Sequence, residues 1–281
     1  MRLAAAAAGA AIAADAVLIE PNLPRVVRRE IVLRRWPARL EGFTIALLSD
    51  LHYDPYFSEH PLHAAISMVN DLRPDLIALT GDFVSVPVFN SNKERRHRAA
   101  FAAEPCARLV RRMQARHGLW AVLGNQDEVT DPGAVTSALQ AQGIQVFANQ
   151  SAAIETGGAR FWLGGVCDVL NSKPDLDLTL RQVPDDEAVI LLAHEPDYAD
   201  YVARHAVDLQ LSGHSHGGQI RIPLVGPPYL PPLARKYVLG LYQIAGLALY
   251  TNPGLGTFGL PIRWNCPPEI TLLTLRRSAN P

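Results

Sequence analysis

Asp50, His52, Asp82, Asn125, His194, His214 and His216 each follow closely on a short apolar run, and together they offer carboxylate, imidazole and amide donors without a thiolate. That donor mixture suits a transition metal such as Mn, Fe or Zn. A single Asp or His at the end of an apolar run is usually a turn former or a hydrogen-bonded cap, but five such endings in succession need another explanation. In Asp50-Leu51-His52 the polar residues stand at i and i+2, which on an extended chain face one side while Leu51 turns back to the core. His214-Ser215-His216 repeats the spacing. Gly81, Gly124 and Gly213 stand directly before Asp82, Asn125 and His214, leaving room for tight turns and for close backbone approach to a ligand.

The apolar runs that must position these residues are Phe43 to Leu48, Leu76 to Leu79, Leu119 to Leu123, Ala188 to Leu192 and Leu209 to Leu211. Continuous apolar runs of that length fit strands buried on both faces. Helix-like stretches lie between several of them, at Pro61 to Asp71, Phe101 to Arg116 and Asp197 to His205. The pattern predicts an α/β (α+β) layered fold in which a central sheet pair is covered by helices. Ligands of such sheets bind in the crevice beyond the strand ends, where the seven residues stand. Arg25 to Trp36 alternates imperfectly and reads as an edge strand. Val86 to His97, with its charged run Lys93-Glu94-Arg95-Arg96, and the proline cluster Pro223 to Pro232 read as loops. His97, His117 and His205 read as surface residues, and Arg221 and Asn252 lie near the last polar block.

With 281 residues and a net charge of −1, the chain can bury a real core and has no electrostatic call for a nucleic-acid partner. Cys106, Cys167 and Cys266 are scattered, which argues against a disulfide framework or a structural zinc site and for buried apolar thiols. Leu3 to Ile19 is almost wholly small and apolar, led by Arg2 and interrupted by Asp15. It fits either an export signal or membrane anchor, or an alanine-rich helix packed on the domain. Residues 1–20 are therefore set apart as a leading segment, 21–41 as an extended lead-in and 42–281 as the catalytic domain.

The ordered blocks Asp-x-His, Gly-Asp, Gly-Asn-x-Asp, a lone His and Gly-His-x-His resemble the calcineurin-like metallophosphoesterase superfamily over Phe43 to Ile220. His216-Gly217-Gly218-Gln219, Gly254-Leu255-Gly256, Leu260-Pro261-Ile262-Arg263 and Pro268-Glu269-Ile270 are similar to a bacterial subgroup that is often membrane-associated. The resemblance implies a four-layer α/β/β/α sandwich and hydrolysis of a phosphate ester. One metal would fall to Asp50, His52, Asp82 and His216, and the other to Asp82, Asn125, His194 and His214, with Asp82 bridging. Two ions about 3.5–4 Å apart would activate a bridging hydroxide and clamp both reacting oxygens.

One residue departs from the family pattern: the imidazole that usually follows Asn, contacts phosphate and protonates the leaving group is Gln126 here. Asp127, which orients that imidazole in relatives, loses its usual partner. An amide donates a hydrogen bond but delivers no proton. Three readings stay open: a substrate with a good leaving group, a proton from another group such as His60 or His63, or a metal- and phosphate-binding protein with little turnover. Tyr53, Tyr56 and Phe57 after the first block are expected near the pocket mouth, to stack a nucleoside, hold an acyl chain or pack the loop on itself, and Pro223 to Leu233 adds apolar residues exposed near the last block. Some relatives hydrolyse the pyrophosphate of UDP-2,3-diacylglucosamine, so the resemblance implies a lipid-linked substrate, peripheral membrane contact, and a bacterial protein that is membrane-associated or cytoplasmic.

Overall fold

A computed structural model describes residues 2–54, 59–85 and 99–279. Tyr56, Phe57 and the loop Val86 to His97 lie outside the described residues. Among the described residues twelve strands form two six-stranded sheets. The first sheet takes β1 (Arg25–Leu33), β2 (Thr44–Leu48), β3 (Leu76–Leu79), β4 (Leu119–Ala121), β5 (Gln145–Val146) and β12 (Glu269–Arg277), in the order β1-β12-β2-β3-β4-β5. The second takes β6 (Gln150–Thr156), β7 (Ala159–Gly165), β8 (Val189–Leu192), β9 (Leu209–Ser212), β10 (Gly240–Ile244) and β11 (Leu247–Thr251), in the order β10-β11-β9-β8-β7-β6. β2 to β5 run parallel, as do β7, β8, β9 and β11.

The helices that lie wholly within the described residues are α1 (Arg2–Ala14), α2 (Glu59–Leu72), α3 (Ala103–Val110), α4 (Asn125–Thr130), α5 (Pro132–Ala141), α6 (Leu176–Leu180) and α7 (Ala199–Val202). Alternation along the strands builds the layers. Ala46 and Leu48 of β2, with Ile77 and Leu79 of β3, face the helices α2, α3 and α5, whereas Ile45, Leu47, Leu76 and Ala78 face the other sheet. Across the sheet interface they meet Ile190 and Leu192 of β8 and Leu209 and Leu211 of β9. Val189 and Leu191 point outward to a third apolar cluster with Leu176, Ala199 and Val202. The result is the α/β/β/α sandwich, in which the expected two-sided burial of the apolar runs holds.

Two helix-like stretches are shorter than their patterns suggest. Phe101 to Arg116 is helical as α3 only to Val110, and Asp197 to His205 is a 3₁₀ turn (Pro196–Tyr198) followed by α7. β1 is an edge strand, paired over nine residues with β12. Arg35, just beyond it, donates to both Asp208 carboxylate oxygens at 3.0 and 2.8 Å and so ties this lead-in to the second sheet.

The leading segment continues from α1 into a π-helical turn (Asp15–Ile19) and a 3₁₀ turn (Glu20–Asn22). It docks on the loop that follows β11: Arg263 N–H donates to Ala16 O at 2.9 Å, and the Glu20 carboxylate accepts from Asn265 N at 2.9 Å and Cys266 N at 2.5 Å. Among the described residues no helix is long and apolar enough to cross a membrane. Cys106 and Cys266 are buried thiols, as expected, while Cys167 is half-buried. His117 and His205 are half-buried, each ring packing on an aromatic neighbour, Phe43 and Tyr201 respectively.

Candidate metal centre

The C-terminal ends of β2, β3 and β4 deliver Asp50, Asp82 and Asn125, and those of β8 and β9 deliver His194 and then His214 and His216. Both sheets therefore open their carboxyl ends on one crevice. Two clusters form there: Asp50, His52 and His216, and Asp82, His194 and His214, all six buried. His52 Nε2 and His216 Nε2 face each other at 3.0 Å, and Asp50 Oδ1 is 3.4 Å from His216 Nε2. Asp82 Oδ2 stands 3.5 Å from both His52 Nε2 and His194 Nε2, so one carboxylate reaches both clusters. Asn125 Oδ1 lies 3.2 Å from His194 Nε2 and joins the second.

Extended-chain geometry does not aim these side chains, contrary to expectation. Asp50 and His52 have φ of 50° and 41°, Asp82 55°, His214 65° and His216 52°. Left-handed backbone costs about 1–2 kcal/mol for a residue with a Cβ, and its gathering at one place marks strain held for function. The kinks are held by the backbone, with Asp50 N–H donating to Gly81 O and His52 N–H to Asp82 O, both at 2.9 Å. His214 and His216 also diverge, each serving a different cluster. Gly124 is needed for space: a Cβ there would meet Asp82 Oδ1 and would stand 2.7 Å from His194 Cε1. Gly254, at φ 78°, lets the loop after β11 press on Asp50, where a Cβ would come within 2.7 Å of the Asp50 Cβ.

The electrostatics fit a cation. Burial pushes His52 down to about 4 and His214 likewise, and it holds His216 well below the usual imidazole range. Neither ring thus carries an added proton, and a cation between the facing Nε2 atoms would take the place of the one hydrogen that their 3.0 Å contact holds. Both Nδ1 atoms are buried without a partner, so a shared ion on the Nε2 side is the interaction that would fix these rings. Burial raises Asp50 to about 6. Asp82 is also penalised by burial, but the neighbouring imidazoles, His194 first, outweigh it and lower the group to about 2. Burial opposes charge on His194 as well, yet the Asp82 carboxylate raises it well above the usual range; a proton there occupies the place of a metal's charge. Two tautomers are set by carbonyls. His194 Nδ1–H donates to Thr80 O at 2.6 Å, so Nε2, where the added proton sits against Asp82, is the atom a metal would take, while His214 Nε2–H donates to Pro232 O at 2.8 Å and leaves Nδ1 free.

A cavity of about 200 Å³ opens over the centre, lined by Asp82, Asn125, His214 and His216 at its floor and by Gln126 at its side. Asp127 is not left idle by the missing imidazole: it is fully buried and accepts from Phe83 N, Val84 N and Gly124 N at 2.9, 3.1 and 3.0 Å. Burial, and then the charge on Asp82, push its carboxyl up to about 8. Neither His60 nor His63 lines the cavity. His60 borders a separate groove with Val17, Leu18 and Pro261, and His63 is exposed beside Glu59 and Arg112. Tyr53 packs into the core under α2 rather than at the mouth. Asn252 is committed to the interior, donating to Thr271 Oγ1 at 2.8 Å and accepting from Gly254 N at 2.7 Å; Arg221 donates to Gly217 O.

Four further residues, Arg263, Gln219, Asp168 and Glu195, support the centre without standing out by sequence spacing. Arg263 is fully buried and donates to the carbonyls of Pro253, Gly254, Gly256 and Cys266, knitting the loop that presses on Asp50. Its position inside a family-like block was the available signal. Gln219 clamps the opposite loop, donating to Phe258 O and Leu260 O and accepting from Phe258 N, which seats the Phe258 ring 5.5 Å from that of His52. Asp168 and Glu195 are buried beside the second cluster, with Glu195 raised well above the usual range by burial and then by Asp168. Glu195 follows a ligand in sequence, but nothing marked Asp168.

Residues 43–218 match the family model described as calcineurin-like phosphoesterase. The chain is 34% identical over 260 residues to an uncharacterized metallophosphoesterase, YkuE, of Bacillus subtilis, covering 92% of this chain and 87% of that one. It is 33% identical to the phosphodiesterase YaeI of Escherichia coli, covering 83% and 82%. A transmembrane protein with metallophosphoesterase domain from Danio rerio is 31% identical; 91% of this chain matches 58% of that longer one. Among solved structures, the sulfate thiohydrolase SoxB of Thermus thermophilus shares the fold, at a TM-score of 0.50 and 13% identity over 84% of this chain and 57% of its own. With that match over most of its length and two clusters able to hold metal, the chain belongs to the calcineurin-like phosphoesterase family and is a metallophosphoesterase.

Proposed function

We propose that this enzyme cleaves a phosphodiester or pyrophosphate whose organic part is a lipid, working at a membrane surface. In this reading one metal ion is held by Asp50, His52, Asp82 and His216, and a second by Asp82, Asn125, His194 and His214. The two-sided cavity carries the proposal: its floor is the ligand set, and its walls are Ile220, Pro228, Tyr229, Pro231 and Phe258. A polar floor takes the phosphate while apolar walls take a chain that water would reject. Beside the walls, Leu224 is fully exposed and Val225 is 77% exposed, an apolar tip suited to entering a lipid interface. Leu18 and Ile19 of the leading segment add exposed apolar surface. The name phosphodiesterase carried by the E. coli relative supports the reaction class.

When bound, two such ions supply an activated water and stabilise charge on the phosphoryl oxygens. The protein's part is orientation. The backbone carbonyls fix the imidazole tautomers, and the Gln126 amide offers a hydrogen bond to a phosphoryl oxygen. The donor set of oxygen and imidazole nitrogen suits Mn, Fe or Zn. The same Gln126 favours a second reading, a metal- and phosphate-binding protein with little turnover. Absence of hydrolysis of every diester tried, in the Mn²⁺-loaded protein and in its Gln126→His variant, would establish that instead.

The lipid reading is tested with a lipid pyrophosphate in vesicles against bis(p-nitrophenyl) phosphate in solution. Replacing Leu224 and Val225 by Glu removes burial worth about 1.5–3 kcal/mol per side chain. We expect it to lower vesicle hydrolysis about tenfold more than hydrolysis of the soluble diester, on the order of 1.4 kcal/mol after partial insertion. Preference for a water-soluble monoester over both substrates would overturn the reading.

A further inference from the structure

The proline cluster that the metal centre leaves unexplained reads Pro227-Pro228-Tyr229-Leu230-Pro231-Pro232, with two prolines on either side of a Tyr-Leu pair. Each proline fixes its own φ, so the segment holds its shape at low entropic cost. It is anchored at both ends to the loop bearing two of the proposed ligands. Pro232 O accepts from His214 Nε2 at 2.8 Å, and Pro227 packs so closely on Gly218 that a Cβ there would stand 3.0 Å from the Pro227 Cγ. Between these anchors Tyr229 lines the metal cavity, is 64% exposed, and makes no hydrogen bond among the described residues. The side chain borders the cavity whose floor the proposed ligands form, and its hydroxyl is uncommitted among the described residues.

The other described residues lining that cavity narrow the role. His214 and His216 are assigned to metal, and the Ser215 hydroxyl donates to Val238 O at 2.7 Å. Gln219 is spent on the Phe258 loop, and Gln126 carries an amide. Tyr229 is thus the described lining residue with a transferable proton still free. We propose that Tyr229 is the catalytic acid of this enzyme, its phenol taking over the proton delivery that Gln126 cannot perform. The proposal rests on the phosphodiesterase reading above. A water oxygen bonds to phosphorus, and the bond from phosphorus to the leaving oxygen breaks with its electron pair staying on that oxygen. The Tyr229 hydroxyl proton moves onto it, and the proton lost by water returns through solvent to the phenolate.

Tyr229→Phe keeps the ring and the frame and removes only the proton. General acid catalysis is typically worth about 10²–10⁴-fold and is spent most on poor leaving groups. With the Mn²⁺-loaded protein, we expect kcat to fall about threefold on bis(p-nitrophenyl) phosphate and about 100-fold on a dialkyl diester. Phosphate binding, measured by calorimetry with inorganic phosphate, should change less than about twofold, since the ring and the metals remain. Gln126→His placed in the Tyr229→Phe protein should recover most of the loss on the alkyl ester. Equal losses on both esters, or a double variant no better than Tyr229→Phe, would overturn the assignment and leave Tyr229 a wall residue. No hydrolysis of either ester by the unaltered loaded protein would instead overturn the phosphodiesterase reading beneath it.

Discussion

Asp82→Ala is expected to reduce bound metal from two ions per chain to fewer than one, and to lower diester hydrolysis by at least about 10³-fold. The reason is its place between the clusters, with Oδ2 at 3.5 Å from both His52 Nε2 and His194 Nε2. On the proposed ligand sets, removing it would take one ligand from each ion and the negative charge that offsets both. It also frees the backbone N–H of Gln126, which donates to Asp82 Oδ1 at 2.8 Å and holds the start of α4. His216→Ala is the contrast. It weakens the Asp50 cluster alone, so one ion per chain should persist. Metal analysis after gel filtration in metal-free buffer distinguishes the two variants, and two ions retained by Asp82→Ala would mean that the carboxylate is not shared.

Much of this centre was legible because strand chemistry is local. Short apolar runs with alternating faces can be buried only between layers, and their polar endings can only gather at the sheet ends. What escaped was set by contacts between distant segments. The left-handed kinks at Asp50 and His52 exist because Gly81 and Asp82 offer carbonyls across the gap from β3, which spacing alone cannot reveal. Tyr53 looked like a pocket aromatic, yet the chain leaving His52 turns it under α2. The hairpin of β6 and β7 had a readable sign that went unused: Gly157-Gly158, with φ of 59° and 71°, is the two-residue turn that matches strand twist. Asp168, buried with no ligand neighbour in sequence, had none.

Asp127 changes meaning most, and its substitution is expected to have the second large effect. Its value lies in three backbone donors rather than in orienting an imidazole. Phe83 N–H and Val84 N–H share Oδ1, and Gly124 N–H takes Oδ2. Phe83 and Val84 follow Asp82, and Gly124 precedes Asn125, so one buried carboxylate sets the spacing of two loops that carry proposed ligands. Leaving a buried donor unsatisfied costs about 1–3 kcal/mol. Asp127→Ala strands all three, and we expect a loss of about 3–5 kcal/mol in urea unfolding, with water entering the gap recovering part of the sum. Asp127→Asn keeps the oxygen that serves Phe83 and Val84 but turns an NH₂ toward the Gly124 N–H, so about 1–2 kcal/mol should be lost. Metal affinity should follow the same order, falling further in the Ala variant than in the Asn variant. Were Asp127 there only to orient a side chain at position 126, both substitutions would leave stability within about 0.5 kcal/mol of the parent, as substitutions without a buried role do.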